Sequence, residues 1–317
     1  MWRSRTAFIV VFMITLDYHA VLSQDGTTRN IEAIVKGRCF NYRFARSPGL
    51  VQIPDTDCDD LWTKFSSAWT YRQSCQNTST YDNLIRSLDQ PLPPNKSMFW
   101  EHTQEFTQRL ANEGKRYVPI EDTLIGYVAD NLIWCGQTSA PGINYTYCPA
   151  YRTCANESVF DFWVAASTWF ASQAKGEAHV VLNGSIPGGQ AYRRDSVFSL
   201  VELANLRSGI VTKLTVILVH DLEKPKVETC ASQSLLDLKA DTQAKNIQFA
   251  CVENPPEVKY LLCADLPESP ECKQTDSTCG SLPPTNRALA VASGSKEGLL
   301  ITLLAVALAS VASLMSR

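Results

Sequence analysis

Glu121 and Asp130 are the residues that first invite a chemical reading in this 317-residue chain. They belong to the stretch Glu121–Gly136, EDTLIGYVADNLIWCG, which gathers three carboxylates, a tryptophan and a cysteine into sixteen residues. Leu124, Ile125, Val128 and Leu132 recur at helical spacing and form an apolar stripe. Pro119, just upstream, can begin a helix but not continue one. In one continuous helix Glu121 and Asp130, nine residues apart, would face opposite sides at about 100° per residue. Both can look into one cavity only if Glu121 stands ahead of the regular turns. Taken alone, the stretch reads as a core helix with a solvated acidic face.

The elements that must position these groups lie between two hydrophobic ends. Arg3 and Arg5 precede a ten-residue run, Ala7–Leu16, that is apolar apart from Thr15. Val21 and Ser23 suit a cleavage before Gln24, so residues 1–23 are expected to be a secretory signal. At the other end Leu299–Met315 is seventeen residues without a charge, preceded by the small residues Ala292, Ser293, Gly294 and Ser295. That pattern resembles a removable glycosylphosphatidylinositol (GPI) anchor signal over 294–317. A C-terminal transmembrane helix is the competing reading, with a weak basic flank against it. Either way the globular part is expected at the extracellular face of the plasma membrane, with the membrane as a partner through a lipid anchor.

Composition narrows the classes further. A net charge of −3 gives no electrostatic case for nucleic acid. Five N-x-S/T sequons, at Asn77, Asn95, Asn144, Asn156 and Asn183, are expected glycosylation sites in an exported chain. Ten of the eleven cysteines fall between Cys39 and Cys272, a disulfide framework whose pairing the sequence alone leaves open. With no CxxC pair and four histidines, one of them His19 in the signal, no metal site is expected.

Read in order, residues 24–38 are polar and expected to be an arm, followed by a self-closed loop from Cys39 to Cys58. Helices are expected at Asp60–Tyr71, Tyr81–Leu88, Met98–Leu110, the stretch after Pro119, and Val159–Ala174. Pro141–Cys154 reads as a loop. The pattern then changes. His179–Leu182, Lys213–His220, Ile247–Val252 and Val258–Leu262 read as strands, with a helix over Ser232–Asn246. The expected fold is α+β: a mostly helical N-terminal lobe (about 38–175), a C-terminal α/β lobe (about 176–273) with a short parallel sheet, and a cleft between them. Residues 274–293 are Ser/Thr/Pro-rich and read as a stalk.

Five motifs in order resemble the ADP-ribosyl cyclase / NAD glycohydrolase family of ectoenzymes. They are EDTLIGYVAD-x-L-x-WCG, the Cys-Pro at 148, VF-x-FW at 159–163, H-V-x-LNGS at 179–185 and F-x-x-VE at 198–202. The resemblance runs from about Gly37 to Lys273, within one ectodomain expected over 24–273. It implies the pairs Cys39–Cys58, Cys75–Cys154, Cys135–Cys148, Cys230–Cys251 and Cys263–Cys272. Cys279 lies outside the family domain; it would bridge two chains in a homodimer or remain a free thiol.

The resemblance also implies a chemistry: cleavage of the nicotinamide–ribose bond of NAD, an N-glycosyl hydrolysis in which NAD is substrate and no cofactor is needed. The ring departs neutral, so what the site must supply is stabilisation of a positive oxocarbenium centre, which a carboxylate in a dry pocket provides. The resemblance implies Glu202 as that catalytic carboxylate. Trp100 and Trp163 would face the nicotinamide ring. Glu121 and Asp130 would receive its amide, sharing one proton as a neighbouring acid pair can. Asp122 and Asn131 read as structural, and Trp169 as core. Where mammalian transmembrane members have Ser-Arg after the first tryptophan, this chain has Glu101-His102, so its hold on the diphosphate is expected to be weaker or built from His102, Ser167 and amides near Phe198. Val197 stands where some members carry Thr. Water attack would give ADP-ribose, adenine attack cyclic ADP-ribose, and both are expected. The alternative is a cell-surface receptor or adhesion glycoprotein on the same fold with a dead site.

Overall fold

Four short runs pair in parallel, in the order β1 (Met98–Glu101), β2 (Gly176–Asn183), β3 (Val211–Val219), β4 (Gln248–Glu253). The register sets Phe99 beside Val180, Val180 beside Val216, and Val216 beside Cys251. Parallel neighbours need crossover connections, so helices must cover the sheet. The helices are α1 (Ile31–Phe44), α2 (Cys58–Ser67), α3 (Asp82–Leu88), α4 (Gln104–Gly114), α5 (Leu124–Ala129), α6 (Ser158–Gln173), α7 (Gln233–Ala244), α8 (Pro256–Asp265) and α9 (Pro270–Lys273). This computed structural model describes residues 26–45, 50–70, 78–88, 90–137, 139–148 and 158–273.

Alternation along the strands divides the apolar residues between two layers. Phe99, Val180, Leu182, Val216 and Leu218 join a large core with Tyr42, Phe65, Trp134, Phe162 and Phe170 from the helical side. Met98, Val181, Ile217 and Val219 meet Leu110 and Ala111 of α4 and Val258 and Leu261 of α8 on the other side. In the larger layer Phe65, Tyr81, Trp134 and Phe162 pack edge to face or tilted, with centroids 4.9 to 6.5 Å apart. Aromatic pairs favour such geometries over face-to-face stacking.

Three expected strands are present, and the mixed α+β class holds. Met98–Leu110 is not one helix. Met98–Glu101 pairs with β2, His102 turns at φ 56°, and only then does α4 begin. The sheet therefore takes its edge strand from the segment assigned to the helical lobe. Val258–Leu262 is not a strand but part of α8, where Pro256 occupies the first helical turn and Val258 and Leu261 face the core at i, i+3. The polar arm is helical from Ile31, with Ile31, Val35, Cys39 and Tyr42 fully buried.

Cys39 and Cys58 pair as the resemblance implies and close the chain between them; the segment starts inside α1 rather than as loop, so the bridge joins α1 to the first residue of α2, with Cα atoms 5.7 Å apart. Such a crosslink contributes on the order of 2–4 kcal/mol. Cys135–Cys148, Cys230–Cys251 and Cys263–Cys272 also form as the resemblance implies. Cys75–Cys154, Cys279, Asn77, Asn156, the signal, the stalk and the anchor lie outside the described residues.

Candidate active site

The segment from Pro119 breaks where the chemistry needs it to. Ile120–Asp122 is a single 3-10 turn, and Thr123 is extended at φ −85°, ψ 158°. Thr123 Oγ1 donates to Ile120 O (2.6 Å) and accepts from Gly126 N (3.3 Å), ending one turn and capping α5. Gly126 is required here by close approach: a Cβ would lie 2.1 Å from Ile120 O. The Tyr42 hydroxyl fixes the turn by donating to Asp122 O at 2.7 Å, and Leu124 N donates to Gln90 Oε1 at 2.7 Å. Glu121 thus precedes the first turn of α5, and Asp130 is its C-cap. They are not on opposite faces of one helix.

Trp100 and Glu101 end β1, so the site opens at the C-terminal edge of a parallel strand, where α/β sheets place ligands. Trp100 Nε1 donates to Glu121 Oε1 at 3.0 Å. From α6 come Trp163 and, one turn on, Ser167, whose Oγ donates to Glu202 Oε1 at 3.0 Å. Glu202 lies in a π-helical stretch, Phe198–Leu203, entered through Val197 and preceded by Ser196, whose Oγ accepts from Ser199 N at 3.1 Å. π-turns are rare and recur at functional sites. Here the turn buries Phe198 and Glu202 while Leu200 stays 64% exposed.

These groups line one cleft of about 620 Å³, large enough for a nucleotide-sized molecule. Trp100, Trp163, Glu121, Asp130, Phe198, Ser167, His102 and Glu202 all border it, although they come from four separate segments. No hydrogen bond joins Glu121 to Asp130 among the described residues; the Asp130 charge acts on Glu121 through space. Asp130 is held instead by Gln104 and Gln108 of α4, at 3.1 and 3.5 Å. Arg38 Nη1 donates to its backbone carbonyl at 2.5 Å. Glu121 Oε2 is buried and has no partner among the described residues. Such an oxygen is costly to leave bare and suits an incoming amide.

Electrostatics separates these carboxyls from ordinary ones. Burial pushes Glu202 up to about 8, with the Glu121 and Glu101 charges adding and the Ser167 hydrogen bond opposing. Burial likewise pushes Glu121 up to about 7, with Asp130 adding and the Trp100 bond opposing. Perturbed carboxyls in a cleft mark a site poised to interact with positive charge.

Some expectations change. Ser167 lines the cleft and donates its hydroxyl to Glu202. His102, 56% exposed, faces Glu101 at 3.7 Å. Asn131, read as structural, borders the cleft, as do Gln104, Ser196 and Arg193. Arg193 was missed; the one signal open to the sequence was the Arg193-Arg194 pair just before the Glu202 segment, which does not say which of the two faces the cleft.

Fold and site together define a class: a parallel-sheet α+β protein whose first strand ends at a cleft walled by indoles and holding buried carboxyls. The chain belongs to the ADP-ribosyl cyclase family, whose model matches residues 28–272. It is 39% identical over 247 residues to the ADP-ribosyl cyclase/cyclic ADP-ribose hydrolase of Aplysia californica, covering 78% of this chain and 87% of that one. Against the mouse ADP-ribosyl cyclase/cyclic ADP-ribose hydrolase 1 the identity is 33% over 268 residues, 84% of this chain and 86% of that one. The crystal structure of the Aplysia cyclase with substrate NGD and product cGDPR is similar at TM-score 0.73 and 39% identity, covering 78% of this chain and 98% of that chain. A structure of CD38 addressing a covalent enzyme–substrate complex is similar at TM-score 0.68 and 31% identity, covering 75% and 96%.

Proposed function

We propose that this protein cleaves the nicotinamide–ribose bond of NAD, giving nicotinamide with ADP-ribose, cyclic ADP-ribose or both. The observation that carries the reading is Glu202: a buried carboxyl, bonded to Ser167, in a cleft bordered by two indoles. The pyridinium ring stacks on Trp100 and Trp163, whose π faces favour its charge. Its carboxamide N–H meets Glu121 Oε2, with Asp130 alongside. The cation draws Glu202 toward its ionised form.

The C1–nitrogen bond then breaks. Its electron pair stays on the ring nitrogen, which leaves neutral, and the positive charge passes to the ribose, where the Glu202 carboxylate stabilises it. A water oxygen bonding to C1, with loss of its proton, gives ADP-ribose. Adenine N1 bonding to C1 instead gives the cyclic product. The aromatic walls favour closure by stacking the adenine. The test is direct: full-length protein and its Glu202→Gln variant are incubated with NAD and the three products separated. Near-normal turnover by the variant sinks the mechanism.

The proposal includes export, glycosylation and lipid anchoring at the outer membrane face. In support, four disulfides form among the described residues, as suits an oxidising compartment. Asn95 is exposed and Asn144 and Asn183 are half-exposed, each spending Oδ1 on a backbone N–H. No described helix is long and apolar enough to cross a membrane. Release of the protein from cells by a phosphatidylinositol-specific phospholipase checks the anchor; retention after treatment argues for a transmembrane helix.

A further inference from the structure

The cleft carries an imbalance of charge. Among the described residues Glu101, Glu121, Asp130 and Glu202 border it, against one guanidinium, Arg193, and one imidazole, His102. A dinucleotide brings a cation at its nicotinamide end, which the acids suit. It also brings a diphosphate with two negative charges, which they repel. A guanidinium is the side chain best matched to phosphate oxygens.

Arg193 is placed for that contact by its neighbours. Arg194 turns away from the cleft and forks onto Asp241 of α7, through Nε at 2.9 Å and Nη2 at 3.0 Å. Tyr192 donates to the same carboxylate at 2.8 Å and packs its ring against Phe198, centroids 6.3 Å apart. Ser196 N closes the turn on Arg193 O at 3.1 Å. With both flanks anchored, Arg193 is left facing the cleft mouth, its side chain 47% exposed. Asp195 holds it extended through Nε at 2.9 Å and Nη2 at 2.7 Å, while Nη1 has no partner among the described residues.

We propose that Arg193 recognises the substrate diphosphate and makes the site selective for a dinucleotide over a bare nicotinamide riboside. Asp195 orients the guanidinium by its Nε/Nη2 edge and leaves the Nη1 edge for a phosphate oxygen. The inference rests on the NAD-cleaving reading and deepens it. It also accounts for a hold on the diphosphate without help from Glu101-His102.

The test uses the full chain with two substrates that share the scissile bond, NAD and nicotinamide riboside. For Arg193→Gln, the ratio of kcat/KM on NAD to that on nicotinamide riboside should fall about 10-fold, the size of one lost charge-assisted contact. The loss should sit in KM for NAD rather than in kcat. Arg193→Lys should recover part of the ratio, because a point charge replaces a fork. KM for NAD in the unaltered protein should rise with salt, and that slope should flatten in Arg193→Gln. An unchanged ratio in Arg193→Gln overturns the inference, as does an equal loss on both substrates, which would mean a structural role. Absence of NAD cleavage in the unaltered protein would instead refute the parent reading, so the two failures are distinguishable.

Discussion

Glu121 and Glu202 reach the same cleft from segments built in opposite ways. Glu121 sits in a 3-10 turn that Pro119, Thr123 and Gly126 cut off from α5, each acting through contacts within a few residues. Glu202 sits in a π-helical stretch whose shape has no local signature and whose burial comes from distant α6 and β1. The first carboxyl is positioned by chain-local breaks, the second by packing. Both nevertheless end with their acidity weakened, because burial outweighs the hydrogen bond each receives.

The largest effect should come from removing the charge of the packed one. Glu202→Gln should lower kcat by about 10²–10³-fold, the scale of losing one preorganised stabilising group. Its thermal midpoint should hardly move near neutral pH, since the carboxyl is held largely protonated in the free site. Unfolding alongside the loss would break the distinction between positioning and packing.

The pH dependence comes next. kcat/KM should rise about tenfold per pH unit below a limb near 8, as Glu202 loses its proton, and the limb in kcat should lie at lower pH because the bound cation favours the carboxylate. The sign for stability is opposite. Both carboxyls are raised above their ordinary value of 4.5, so their contribution is fully present below that pH and is lost as pH rises through about 7 and 8. Glu202→Gln should flatten that decline in melts recorded against pH.

The locally built segment should fail differently. Gly126→Ala forces a Cβ onto Ile120 O and should cost on the order of 1–3 kcal/mol in denaturant titrations. It should raise KM through the displaced Glu121 more than it lowers kcat. A neutral substitution would mean the turn is less tightly built than its contacts indicate. The smallest effect should be Ser167→Ala, which removes one hydrogen bond from Glu202, about 1 kcal/mol. Because that bond favours the charged form, its loss should move the activity limb to higher pH.

The same contrast explains which elements were legible beforehand. The strands β2 and β3 were readable because apolar, buried runs with β-branched residues leave a dense signal, and β4 because a short apolar run, Phe249–Val252, follows the helical pattern of α7. β1 was not: four residues, MFWE, carry no period, and their strand state depends on pairing with β2, Met98 with His179 and Glu101 with Leu182, far along the chain. VKYLL in α8 had the opposite fault, a short apolar run that fits either period until Pro256 and the α4 side decide. Among site residues, those inside dense motifs were found, whereas Gln104, Ser196 and Arg193 come to the cleft only through the fold.

The sequence by itself marked three of the four strand runs and set the condition that Glu121 stand ahead of the helix if it is to share a cavity with Asp130, because both rest on local stereochemistry; four of the crosslinks and the acid and indole set came through the resemblance that motif order carries. Tertiary structure alone decided the edge strand, the π-turn, the burial that holds Glu202 and Glu121 near 8 and 7, and the turn that leaves Arg193 at the cleft mouth. The physical reason is range. Turns and caps are fixed by atoms a few residues apart, while desolvation and cleft geometry sum over segments the chain brings together only when folded.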